Sequence, residues 1–61
     1  MSMSKWKVRA ELVKGEQMYQ VYRLLNEEDY NWYGNRNVVG MFDSELRALE
    51  YAEELNRKDE K

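Results

Sequence analysis

The first third of the chain alternates between apolar and polar side chains. From Lys5 to Val13 the apolar residues occupy every second position, and this period of two is typical of a half-buried β-strand. Lys14 to Gln17 interrupts the alternation, and Gly15 can supply the positive φ that tight hairpin turns need. Met18 to Leu25 is a second apolar-rich run whose Tyr and Val residues favour a strand. The pattern predicts a β-hairpin.

The length of the turn decides which side chains of the second strand share the apolar face of the first. A two-residue turn, at Lys14-Gly15 or at Gly15-Glu16, selects the odd-numbered residues Tyr19, Val21 and Arg23. An odd-length loop selects the even-numbered ones instead, because a slip of one residue turns every side chain over. We predict the two-residue turn, since such turns are the commonest hairpin connections. Tyr22 then lies beside Lys7 or Arg9 on the open face.

The rest of the chain predicts a long connection, a third strand and a helix. Residues 26–37 are mostly polar, and Val38 to Phe42 is a short strand interrupted by Gly40, which often marks a bulge or a close backbone approach. From Ser44 to Asn56 the apolar residues recur along one broad helical face. The sequence therefore predicts a single α+β domain over residues 1–61, with an ordered core from about 5 to 57. In it, a three-stranded antiparallel meander packs against one C-terminal helix, a βββα arrangement.

Composition removes several classes of function. The chain has neither Cys nor His, so it lacks disulfides, thiolate metal sites and the commonest general base. No apolar run approaches the ~20 residues of a membrane helix, and Met1 to Lys5 lacks the apolar segment of a secretory signal. The acidic run Glu27, Glu28 and Asp29 matches no calcium-binding loop. We expect a cytoplasmic, non-enzymatic protein with no metal, cofactor, small-molecule substrate or membrane contact.

Basic residues concentrate on the first strand, although the net charge of the chain is −2. Lys5, Lys7 and Arg9 alternate along it, and residues two apart on a strand stand on one face, about 6.5–7 Å apart. That distance is close to the phosphate spacing along a nucleic-acid strand, and a neighbouring aromatic such as Tyr22 adds base stacking. The alternative is an ordinary polar sheet face, on which Lys and Arg provide solubility and edge protection.

The polar connection also contains three aromatic residues, Tyr30, Trp32 and Tyr33. Aromatic side chains on a loop are typical protein-recognition anchors, because they bury a large area with few torsions to fix. In so small a chain such a loop can instead cover a sheet edge and supply core. The acidic helix residues Glu50, Glu53 and Glu54 are read as a solvated surface, or as a docking patch for a basic partner.

The element order and the sheet-to-helix junction resemble a known family. An early strand, Trp6-Lys7-Val8-Arg9, and a junction made of Gly40, Phe42, Ser44 and Ala48 are similar to the arm-site-binding N-terminal domains of phage and transposon tyrosine recombinases. The resemblance implies a mobile-element origin and a sheet that enters the major groove of DNA. It implies contacts from Lys5, Lys7 and Arg9, and from Arg23 if that side chain faces outward.

Three functions follow from these observations. The leading prediction is a small module that binds a protein or a second copy of itself, favoured by the acidic balance, the aromatic loop and the small core. The first alternative is a DNA-binding regulator that uses the basic sheet face. The second is an acidic inhibitor that imitates nucleic acid, which needs the acidic run and the helix acids on one continuous surface.

Overall fold

The computed structural model describes residues 3–28 and 34–59, and within them it has the predicted βββα order. The strands β1 (Lys7–Val13), β2 (Glu16–Leu24) and β3 (Arg36–Phe42) form one antiparallel sheet in the order β1-β2-β3, and the helix α1 (Glu45–Asp59) follows. The helix lies over one side of the sheet, mainly above β2. We call that side the helix face and the uncovered side the open face.

The connection between β1 and β2 is the predicted two-residue turn. Lys14 and Gly15 both have positive φ, 51° and 83°, as a type I′ turn requires of its two central residues. The register that results places Val8 opposite Val21, so the odd-numbered side chains of β2 share a face with Val8. The predicted register is confirmed, and with it the position of Tyr22 on the open face.

The core lies between the helix face and α1. Val21, at the centre of the sheet, has no exposed surface, and Ala48 and Ala52 of α1 are buried against it. Small side chains at these helix positions let α1 approach the sheet closely. Larger side chains surround the contact, namely Trp6, Val8, Tyr19, Phe42, Tyr51 and Leu55.

Gly40 lies at a β-bulge in β3, as its position in an apolar run predicts. Val21 pairs with Gly40, but the next residue, Tyr22, pairs with Val38, so one residue of β3 is left over. A Cβ atom on Gly40 would lie 3.1 Å from Cε1 of the Phe42 ring. The missing side chain therefore provides the space that the aromatic ring occupies.

The helix is longer than predicted and is fixed at both ends. At its start, Ser44 Oγ accepts a hydrogen bond from the Arg47 N–H at 3.4 Å, as an N-cap does. At its end, α1 continues past Asn56 to Asp59, where Arg23 binds the Asp59 carboxylate at 2.8 Å. This contact across the fold lies just beyond the predicted ordered core, which ends at about residue 57.

Candidate functional site

The register brings three basic residues onto the open face around Tyr22. Lys7 lies directly opposite Tyr22, and Arg9 lies opposite the neighbouring Gln20. Arg36 reaches the same face because it pairs with Leu24, two residues beyond Tyr22 on the same side of β2. The paired positions of the open face are Lys7, Arg9, Glu11, Val13, Glu16, Met18, Gln20, Tyr22, Leu24, Arg36, Val38 and Met41.

Arg36 was not among the candidates from the sequence, and the bulge explains why. Gly40 and Phe42 lie on the helix face, so strict alternation would place Val38 and Arg36 there as well. The extra residue at the bulge reverses the alternation, and both side chains turn to the open face. The signal available in the sequence was Gly40 itself, since a bulge changes the face of every residue before it in the strand.

Arg23 does not join Lys7 and Arg9 on the open face, and Lys5 lies outside the paired part of β1. Arg23 lies on the helix face, where its side chain is 15% exposed, so the condition for its DNA contact, an outward-facing side chain, is not met. Lys5 precedes the regular part of β1, and it lines a shallow pocket of about 200 Å³ beside Arg23 and the end of α1. The paired positions of the open face therefore include two of the four predicted cations, Lys7 and Arg9, together with Arg36.

Three contacts explain the position of Arg23. Its Nη2 is 2.8 Å from Oδ2 of Asp59, and its Nε donates a hydrogen bond to the Ser4 carbonyl at 3.1 Å. The guanidinium carbon lies 4.6 Å from the centroid of the Trp6 ring, within the range of a cation–π contact. One side chain thus connects β2, the segment before β1 and the end of α1.

A buried amide lies in the middle of the open face. Gln20 is 4% exposed, although its side chain belongs to the uncovered side of the sheet. Its Nε2 donates a long hydrogen bond of 3.4 Å to Glu11 Oε2, and its Oε1 has no hydrogen-bond partner among the described residues. Neighbouring side chains therefore cover the centre of this face.

The outer edge of β1 has backbone groups that point away from β2. Lys7 and Val13 belong to the pairs that exchange hydrogen bonds with β2, because Val13 and Glu16 flank the two-residue turn. The alternate residues Val8, Ala10 and Leu12 therefore direct their N–H and C=O groups outward. We call these outward groups the β1 edge.

Asn56 of α1 marks one end of the β1 edge. The Trp6 N–H donates to Asn56 Oδ1 at 2.8 Å, and Asn56 Nδ2 donates to the Trp6 carbonyl at 3.1 Å. The amide side chain thus bonds to Trp6 as a neighbouring strand would. Among the described residues, no comparable contact reaches Val8, Ala10 or Leu12.

Two exposed leucines lie near the β1 edge on the helix side. Leu12, on β1 itself, is 73% exposed, and Leu49 of α1 is 50% exposed. Leu49 precedes Asn56 by two helical turns, so it lies on the side of α1 that faces β1. We call these residues the leucine strip. An apolar strip next to unpaired strand groups is typical of a protein contact.

The predicted recognition loop is fixed at its base. Asn35 is 3% exposed; its Oδ1 accepts from the Asn26 N–H, and its Nδ2 donates to the Asn26 carbonyl, both at 2.7 Å. These bonds join the ends of the connection between β2 and β3. Tyr30, Trp32 and Tyr33 themselves lie outside the described residues.

The acidic groups divide between two places. Glu27 and Glu28 are exposed in the connection after β2, while Asp29 lies outside the described residues. On α1, Glu53 and Glu54 each lie 3.8 Å from a basic side chain one turn later, Arg57 and Lys58. Within residues 3–28 and 34–59, no cluster of carboxylates is arranged to hold a metal ion.

Comparison with known proteins does not assign a function to this chain. No family model matches the chain, and neither a curated protein nor a solved structure matches it. The resemblance to recombinase arm-site-binding domains therefore stays a prediction. In the part of the chain that the structure describes, no helix is both long and apolar enough to span a membrane.

Proposed function

We propose that this protein is a small non-enzymatic binding module that associates with protein through the β1 edge. The observation that carries this proposal is the outward direction of the Val8, Ala10 and Leu12 backbone groups beside the exposed leucine strip. An added strand satisfies such groups by hydrogen bonds, and apolar side chains next to the edge give the complex its buried area. The proposed location is the cytoplasm.

The two edges of the sheet differ in a way that favours β1. The β3 edge is interrupted by the bulge at Gly40, and bulges protect edges by twisting them away from a pairing strand. β1 pairs with β2 without a register shift from Lys7 to Val13, so its outer side is regular. A regular edge accepts an incoming strand along several consecutive residues, whereas a bulged one does not.

The proposal is tested by adding a strand from outside. We would titrate the ¹⁵N-labelled chain, at concentrations where it is monomeric, with an acetylated peptide that copies residues 6–14. The expected result is amide shifts at Val8, Ala10 and Leu12 and at the leucine strip. The control chain is Ala10→Pro, which loses one outward N–H at an edge position where proline is tolerated. Unchanged spectra, or equal shifts in the Ala10→Pro chain, would contradict binding at this edge.

A second candidate function is nucleic-acid binding by the open face. It is favoured by one observation, the position of Lys7, Arg9 and Arg36 on the same face as Tyr22. Cations around an aromatic ring combine phosphate neutralisation with base stacking. The acidic residues of α1 lie on the other side of the molecule, so the net charge of −2 does not describe this face. Its test is a binding measurement across salt concentration.

A further inference from the structure

We infer that the β1 edge binds a second copy of this chain, in antiparallel pairing with Ala10 of each copy on the two-fold axis. The inference rests on the proposed function, because it names the partner of the β1 edge. Two three-stranded sheets then join through their β1 strands into one sheet of six strands. The reasons are the length of the edge, the order of charges along it and the position of the leucine strip.

The β1 edge extends equally far on both sides of Ala10, as a two-fold axis at that residue requires. On one side the next outward groups belong to Trp6, and Asn56 already occupies both of them. On the other side the next outward position is Lys14, which has left the strand for the turn. Trp6 and Lys14 are equally far from Ala10 in sequence. A two-fold axis at Ala10 therefore uses every outward group, with Val8 of one copy opposite Leu12 of the other.

The charges on the edge strand select this register over its neighbours. With Ala10 on the axis, Arg9 of each copy lies directly opposite Glu11 of the other. These residues form non-hydrogen-bonded pairs, in which side chains come closest. A shift of the axis to Arg9 or to Glu11 places two like charges directly opposite each other, which destabilises a strand pair. An axis at Val8 places Arg9 opposite Lys7 and needs the Trp6 groups that Asn56 holds.

The leucine strip supplies the apolar surface of the same contact. Leu12 faces Val8 of the other copy on the helix side, where it is now mostly exposed. The two β2 strands, over which the helices lie, are three strand spacings apart, about 14 Å. Because packed helix axes are typically 8–10 Å apart, the two helices fit side by side without overlap. Leu49 of each copy faces the space between them.

The decisive experiment exchanges the charges that face each other. We would measure mass by sedimentation equilibrium across concentration for the wild-type chain, for Arg9→Glu and for Glu11→Arg. The wild-type mass is expected to double with concentration. Each single variant places like charges opposite each other twice in every dimer, so its association should be weaker by about tenfold or more. An equimolar mixture of the two variants should restore the dimer, because every facing pair is again of opposite charge.

Two further measurements show whether weaker association of a variant results from a failure to fold. Circular dichroism identifies a variant that has lost its structure. Amide hydrogen exchange on the wild-type chain needs no variant: the Val8, Ala10 and Leu12 amides should become protected as concentration rises, while the Arg9 and Glu11 amides, already bonded to β2, should not change. Unprotected Val8, Ala10 and Leu12 amides in a dimer would overturn the inferred interface.

The outcomes separate this inference from the proposed function. A chain that stays monomeric at millimolar concentration, yet binds the peptide of residues 6–14 at β1, keeps the binding edge but excludes the second copy as its partner. A wild-type dimer whose two charge variants fail to associate when mixed excludes the Ala10 register but keeps protein association. A monomeric chain that does not bind the peptide contradicts both.

Discussion

The side-chain amide of Asn56 forms hydrogen bonds with both backbone groups of Trp6, fifty positions earlier in the chain. This pair joins the end of α1 to the start of β1 and satisfies strand groups that would otherwise face outward. Because the contact is partly buried, its loss leaves two polar groups poorly satisfied. It therefore stabilises the fold and also sets where the β1 edge begins.

Replacing Asn56 with Ala should lower the free energy of unfolding by about 1–3 kcal/mol, the usual cost of leaving buried backbone groups without partners. Urea denaturation followed by circular dichroism measures the change. Asn37→Ala, at an exposed site of β3, is the control and should change stability by less than about 0.5 kcal/mol. Equal losses in the two variants would show that the Trp6 contact contributes nothing specific.

Replacing Arg23 with Lys should destabilise the protein although the charge is kept. A lysine cannot contact the Ser4 carbonyl and the Asp59 carboxylate together while stacking on Trp6, because it lacks the planar fork of donors. We expect a loss of about 1–2 kcal/mol, mainly from the stacking and the part-buried hydrogen bond. Asp59 is half-exposed, so Asp59→Asn should cost less than about 1 kcal/mol. Thermal unfolding compares both with Arg57→Lys on the exposed side of α1, and an unchanged midpoint for Arg23→Lys would contradict this account.

Replacing Gln20 with Met should leave the stability unchanged or raise it by about 1 kcal/mol. The amide gains only one long hydrogen bond, and its buried Oε1 has no partner among the described residues; removal of such a group is often neutral or favourable. Met has a similar volume and fills irregular space well. Chemical denaturation measures the change in the free energy of unfolding. A loss of more than about 1 kcal/mol would show that the amide has a partner that stabilises it.

Replacing Gly40 with Ala should destabilise the protein by about 1–3 kcal/mol through overpacking. The new methyl group would lie 3.1 Å from the Phe42 ring, which packs against Tyr51 with ring centroids 5.4 Å apart and so has little room to move. Phe42→Leu removes the two ring atoms nearest the new methyl group. In that background the Gly40→Ala change should cost much less, and a double-mutant cycle measures the difference. Equal costs in both backgrounds would contradict the steric explanation.

The nucleic-acid candidate predicts a binding constant that depends on salt through the open face. We would measure the binding constant by fluorescence anisotropy with mixed-sequence duplex and single-stranded DNA from about 50 to 200 mM salt. If three phosphates are neutralised, the logarithm of the binding constant should fall with the logarithm of the salt concentration with a slope of roughly −2 to −3. Lys7→Glu with Arg36→Glu should abolish binding and leaves the Arg9 and Glu11 pairing positions intact. The matched control is Arg57→Glu with Lys58→Glu, the same charge change on α1. Equal loss in both double variants would indicate a general charge effect, and no binding at low salt would exclude this function.

The sequence predicts the architecture well because the architecture depends on local patterns. The alternation along β1, the positive φ available at Gly15 and the helical spacing of Ala48 and Ala52 each arise within a few residues. The register follows from the turn alone. These features need no information about distant parts of the chain, so the hairpin, the third strand and the helix could be predicted.

The candidate sites were harder to predict because they depend on relationships between distant residues. Arg36 reaches the open face only through the bulge at Gly40. Arg23 reads in the sequence as a charged residue at a strand end. Its ring contact with Trp6 depends on the pairing of the two strands, and its bond to Asp59 requires the packed helix. The β1 edge is a property of backbone direction, which side-chain patterns reveal only when the register and the contacts of Asn56 are known.

The contacts of Arg23 also bring the first and last described segments of the chain close together. Its guanidinium binds the Ser4 carbonyl and the Asp59 carboxylate at the same time, so the first and last described parts of the chain lie within reach of one side chain. Proximity of this kind is what makes circular permutation possible. A short Gly-Ser linker that joins the two ends, with new ends opened between Lys14 and Gly15, should retain the same sheet and helix while β1 and β2 become the terminal strands.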